Sequence, residues 1–156
     1  MNEHKLIATS RALPPTGIDW LDLDHKAFVE VTSEETGYSV EYALRTEQNG
    51  WRAAEAGIQR IRIMFHEPQK LRRIWMVLED TENTRTQEFA LQWLPVTGHL
   101  FREIVRQQWN FSSPNSVREI EDYTVELSDV HVLELLILPD NKDSEARASL
   151  LSFRLA

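Results

Sequence analysis

The stretch Val31–Ala54, VTSEETGYSVEYALRTEQNGWRAA, decides the fold. The β-prone run Ala27–Thr32 leads into it. Ser33 and Gly37 then mark a turn. Val40–Leu44 suits one short turn of helix, and the polar loop ending in Asn49-Gly50 delivers Trp51. Short elements cut by turn residues at this spacing point away from a helical bundle and toward packed strands.

Strand signals continue outward from this stretch. Ile58–Phe65 alternates, with Ile61, Ile63 and Phe65 on one face and Arg60, Arg62 and Met64 on the other. Pro68 reads as a break before a second run, Leu71–Glu79, where Ile74, Met76 and Leu78 alternate with Arg73, Trp75 and Val77. Gln87–Leu94 places Phe89, Leu91 and Trp93 together. Phe101–Phe111 is a longer mixed run. Ile120–Leu127 turns Tyr123, Val125 and Leu127 inward. Ser128-Asp129 reads as a hairpin turn into Val130–Leu138, which is apolar on both faces as a covered central strand would be. Ala148–Leu155 closes the chain. About eight strands with turns every 8 to 12 residues or so predict an all-β, antiparallel β-sandwich.

The totals fit that expectation. A chain of 156 residues is one domain's worth, and 42% hydrophobic with 27% charged residues is an ordinary folded composition. Residues 1–24 lack a clear period and carry Pro14-Pro15 and Gly17. They are expected to form an arm packed on a body of residues 25–156 through Ile18, Trp20, Leu21 and Leu23. The absence of Cys excludes disulfides, thiolate chemistry and Cys-based zinc sites. No run approaches the roughly 18 apolar residues of a membrane helix, and the first residues lack the apolar core of a signal peptide, so a cytoplasmic location is expected. The net charge of −8 opposes nucleic acid and anionic membranes. Of 17 basic residues 13 are Arg, which suits planar pairing with carboxylates.

From about Phe28 to the C-terminus the chain resembles the discoidin, or galactose-binding-like, β-sandwich (jelly roll) also used by carbohydrate-binding modules. Val31-Thr32-Ser33-Glu34 is similar to that family's first strand and Ser-rich turn, Tyr38–Leu44 to its Ala-Leu step, and Asn49–Ala53 to its loop Trp followed by small residues. Ile61–Phe65 with Pro68, and the pair VELSDVHVLELLILPD and ASLLSFRLA, resemble later strands. The resemblance implies binding rather than catalysis, with the ligand held by loops at one end of the sandwich. Two departures stand out. Arg45-Thr46 stands where the family often carries Asp-Gly, and Ser152 where it often carries Glu. Replacing hard oxygen ligands by a cation and a hydroxyl predicts no structural calcium, and no other cofactor is expected.

Nothing in the sequence marks an enzyme. The motifs for a nucleophile elbow, a phosphate loop or a zinc protease are absent, and His66, His99 and His131 fall apart from one another. Asp19, Asp22, Asp24 and His25 read as a solvated acidic segment. Sugar recognition needs an aromatic face and side chains that chelate hydroxyl pairs. The loops at the implied end supply Tyr38 as the platform and Arg52, Glu55, Asp80, Asn83 and Arg85 as chelators. The alternative is a protein partner, recognised by a sheet face bearing Arg60, Arg62, Arg73 and Trp75. Asn110-Phe111-Ser112 matches a glycosylation sequon, which is read as chance in a cytoplasmic chain.

Overall fold

The structure, a computed structural model, describes residues 12–156. The elements are α1 (Leu23–Lys26), β1 (Ala27–Val31), α2 (Val40–Arg45), β2 (Trp51–Arg52), β3 (Gln59–Glu79), β4 (Arg85–Pro95), β5 (Arg102–Phe111), β6 (Arg118–Leu138), β7 (Ser149–Leu150) and β8 (Ser152–Leu155). β3 and β6 are 21 residues each and run antiparallel along nearly their whole length. Their halves belong to different layers. Gln59–Met64 and Val130–Leu138 lie in a layer ordered β1-β3-β6-β4-β5, whereas Leu71–Glu79 and Arg118–Leu127 join β8 in a second. This is the antiparallel β-sandwich expected from the strand pattern.

One apolar core fills the space between the layers. Ile61, Ile63, Phe65, Phe89, Leu91, Leu133, Leu135 and Ile137 come from the larger layer, and Ile74, Met76, Leu78, Phe153 and Leu155 from the smaller. Burying each such side chain contributes roughly 1.5–3 kcal/mol. Trp51 is wholly buried and donates its indole N–H to Ser33 O at 3.0 Å, which ties the entry turn to the core.

Three sequence expectations need correction. Pro68 does not end a strand. The β3–β6 ladder shifts register between Met64 and Arg73, and Pro68 stands opposite no residue of β1 or β6, so the missing N–H costs nothing there. The shift also moves the core-facing positions from odd residues (Ile61, Ile63) to even ones (Ile74, Met76). Ser128-Asp129 is no hairpin turn either, because both halves of β6 pair with β3; the irregularity is taken up at Asp129, whose φ is 56°. The closing strand is split, since Leu151 leaves the ladder between β7 and β8. The short helix at Val40–Leu44 is present as α2, which ends on left-handed Thr46.

The proposed arm is described from residue 12 onward, and residues 1–11 lie outside the described residues. Leu21 N donates to Leu155 O at 2.8 Å, Leu23 is buried, and Trp20 donates to Pro15 O at 3.1 Å. Of the acidic cluster, Asp22 meets His25 at 2.5 Å in the open and Asp24 pairs with Arg45 at 2.7 Å.

The outer face of the larger layer carries an ordered charge row. Glu134 is 1% exposed although it points away from the core. Arg62 meets it at 2.6 Å from β3, Gln92 at 2.6 Å from β4, and Arg60 at 3.3 Å. On the smaller layer Arg73 pairs with Asp122 at 2.6 Å, and Trp75 is only 3% exposed. The arginines expected to form a free interaction face are thus engaged across strands, and the tryptophan expected beside them is buried. That leaves the protein-partner reading without its anchors.

Candidate functional site

Four segments meet at one end of the sandwich. The turn Asp80–Thr84 joins β3 to β4. Asp80 Oδ1 accepts the N–H groups of Glu82 and Asn83 at 2.9 and 3.0 Å, which folds that turn on itself. The loop 140–148 is tied to β4 by Thr86 N to Asp140 Oδ1 at 3.3 Å and Asn141 N to Thr86 O at 3.0 Å. The two-residue ladder of β2 and β7 sets Arg52 opposite Ser149. Residues 33–39 complete the rim, with Glu35 N bonded to Arg52 O at 2.8 Å. Together they enclose a cleft of about 630 Å³ lined by Tyr38, Asn49, Arg52, the 79–85 turn and the 140–151 segment.

The floor is a fixed ion pair. Arg85 is buried, with Nε on Asp80 Oδ2 at 2.6 Å and Nη1 on Gln87 Oε1 and Pro139 O at 3.0 and 2.7 Å; its guanidinium lies 4.7 Å from the Phe111 ring centroid. Burial opposes ionisation of Asp80. Hydrogen bonds from Arg85 and from Glu82 and Asn83 N–H outweigh it and hold the carboxyl below its usual range. At one wall Arg52 lies 4.3 Å from the Tyr38 ring centroid, so the guanidinium rests on the aromatic face. Glu35 bridges Arg52 at 3.6 Å and Arg147 at 3.8 Å. Glu79 is paired with Arg118 at 2.6 Å.

Of the residues singled out in the sequence, Tyr38, Arg52, Asp80, Asn83 and Arg85 all line this cleft. Glu55 does not. Its backbone N–H donates to Ser33 Oγ at 3.2 Å, its C=O accepts Gln59 Nε2 at 3.3 Å, and its exposed side chain is not part of the lining. Glu35, Glu82, Asp140, Asp143, Glu145 and Arg147 were not singled out. The loop 140–147 carries its own signal in the run Asp-Asn-Lys-Asp-Ser-Glu-Ala-Arg, a polar stretch that must lie at the same end as the 80–84 turn once β4 and β6 pair.

Behind the floor a second polar group lies inside the sandwich. Gln87 Nε2 approaches Glu119 Oε1 at 3.5 Å, and both residues are fully buried. Burial first, then the neighbouring Glu121 carboxylate, pushes the Glu119 carboxyl up to about 9. Glu119 Oε2, Tyr123 Oη and Trp109 Nε1 have no hydrogen-bond partner among the described residues. Trp109 is half-buried and packs edge-on to Phe111.

At the site of the two calcium-motif departures, Thr46 Oγ1 and Ser152 Oγ lie 2.6 Å apart, and Arg154 Nη1 donates to Thr46 Oγ1 at 3.2 Å. Among the described residues no three His, Asp or Glu side chains converge to hold a metal ion.

No protein-family model and no curated protein matches the chain. Solved structures do. A family 32 carbohydrate-binding module from C. perfringens NanJ in complex with galactose superposes with a TM-score of 0.60 at 14% identity, covering 83% of this chain and 92% of that one. The family 32 module of AlyQ in complex with 4,5-unsaturated mannuronic acid gives 0.59 at 12% identity over 84% and 95%. Reduced XRCC1 bound to the DNA polymerase beta catalytic domain gives 0.59 at 10% identity over 85% and 95%. The chain therefore has the galactose-binding-like β-sandwich fold that these modules share.

Proposed function

We propose that this chain is a non-catalytic carbohydrate-binding module whose ligand occupies the cleft between the 80–84 turn and the 140–148 loop. The observation that carries this is the cleft itself: a concave site of about 630 Å³ with a rigid polar floor and an arginine stacked on Tyr38. Tyr38, expected as the platform for a sugar, carries Arg52 on its ring instead, so the guanidinium is the group offered to the ligand there, and Asn83 offers an amide at the rim. Arg85 adds a buried guanidinium whose Nη2 makes no hydrogen bond among the described residues. Fixed donors and acceptors of this kind chelate sugar hydroxyls with little ordering cost.

Two features support binding over catalysis. Asp80 is held ionised and fully engaged, so it is a poor proton donor. Glu119, whose carboxyl is raised, is buried and does not line the cleft. The similarity to carbohydrate-binding modules supports the same reading.

A glycan array followed by calorimetry tests it. Binding to at least one glycan class is expected, with Tyr38→Ala and Asn83→Ala each weakening it about tenfold or more while the melting temperature stays close to the parent's. Silence across the whole panel removes the proposal.

A further inference from the structure

The fold admits ligands of different charge: one similar module holds galactose and another an unsaturated uronic acid. The lining of this cleft makes a choice between them. We infer that the cleft selects uncharged glycans and rejects uronic acids. This rests on the carbohydrate reading above and goes further by naming the ligand class.

The three guanidinia of the lining share two carboxylates. Arg85 has Asp80 at 2.6 Å, and Arg52 and Arg147 share Glu35 at 3.6 and 3.8 Å. Arg85 Nη2 is therefore a directed donor whose charge is spent, suited to a hydroxyl or ring oxygen. A ligand carboxylate placed there would sit beside Asp80 as an uncompensated anion.

The carboxylates are not matched in the same way. Glu82, Asp140, Asp143 and Glu145 line the cleft, and none forms an ion pair with a described residue. Asp140 and Asp143 accept backbone N–H groups instead, which fixes their position and leaves their charge in place. The chain as a whole adds a net charge of −8. A uronate entering the cleft meets like charge on the turn and on the facing loop. A neutral sugar meets four acceptors for its hydroxyls at no such cost.

The test uses matched pairs that differ only in the acid: galactose and galacturonate, glucose and glucuronate, and mannose and mannuronate oligomers, titrated by calorimetry at low and at 1 M salt. The neutral member of the bound pair is expected to bind about tenfold tighter or more at low salt, with the gap closing at 1 M, where screening acts within about 3 Å. The double variant Glu82→Gln, Glu145→Gln changes two exposed side chains and is expected to narrow the low-salt gap about threefold or more. A uronate that binds as tightly as its neutral partner overturns the inference. So does a gap that neither salt nor the double variant changes. If no member of any pair binds, the carbohydrate reading itself fails, an outcome separate from either of these.

Discussion

Thr46 and Ser152, 106 positions apart in the chain, place their hydroxyls 2.6 Å from one another. Thr46 closes α2 and Ser152 opens β8, so the contact joins the helix end to the last strand. These are the positions at which the sequence departs from a carboxylate-bearing pattern, and the structure brings them together with Arg154.

We propose that this hydroxyl pair and the Arg154 guanidinium do the bridging that an ion would otherwise do. Adding millimolar calcium is then expected to leave the melting temperature unchanged within about 1 °C, because a ligand that binds only the folded state must raise it. A rise that grows with calcium concentration would show a site. Ser152→Ala is expected to cost about 1 kcal/mol in denaturant unfolding, the worth of one hydrogen bond.

Gly50 is fixed by geometry. Its φ is 70°, and a Cβ there would stand 2.4 Å from Leu150 O and 2.7 Å from Leu151 Cα, both backbone atoms that cannot swing aside. Gly57 has a φ of 86° but open space around it. Both Gly→Ala changes carry the left-handed strain of about 1 kcal/mol, and only the first adds a clash. Gly50→Ala is expected to lose about 2–4 kcal/mol and Gly57→Ala about 1. Equal losses in urea melts would contradict the close approach of β2 and β7.

Stability should fall as pH rises across the neutral range. The Glu119 carboxyl titrates at about 9 in the folded chain against an ordinary 4.5. Between those values the folded state keeps a proton that the unfolded chain has released. Its contribution is complete below the ordinary value and is lost as pH climbs toward the folded one. Asp80 and Asp122 shift downward, so their contributions are lost only in acid, outside this window. Glu119→Gln, neutral throughout, is expected to flatten the profile, whose slope for a single group is at most about 1.4 kcal/mol per pH unit. Melts from pH 5 to 9 that show the same slope for both proteins would count against a protonated Glu119.

Glu134 holds a row of side chains across three strands. Glu134→Ala leaves Gln92 and Arg62 without their shared acceptor and is expected to cost about 2–3 kcal/mol. Glu134→Gln keeps an acceptor and is expected to lose less. A neutral outcome for the Ala variant would show the row to be surface decoration.

The apolar alternation was legible wherever a strand buries one face. Ile61-Ile63-Phe65 and Phe89-Leu91-Trp93 face the core as their period requires. What local pattern could not show is continuity. Pro68 and Ser128-Asp129 look like stops, because turn chemistry is read locally, while the pairing that carries β3 and β6 through them comes from distant residues. The same limit applies to Trp75, whose burial no periodicity announces. At the cleft, five of six chosen residues converge, because loops between paired strands must gather at a common end. Glu55 was misplaced because its loop folds back on Ser33, a contact set by a single hydroxyl that accepts the Ala54 and Glu55 N–H groups.

The hydrogen bond from Leu21 to Leu155 O sets the first and last segments of the sandwich side by side. Ala156 bonds Arg72 and Arg73, where the second half of β3 begins, and Glu79 at the other end of that half lines the cleft. Six or seven extended residues span about 20 Å. Leu21 and the last residues of β8 therefore meet at one place, half the length of β3 away from Glu79 and the cleft. A linker fused after Ala156 would therefore start at that place, clear of the ligand.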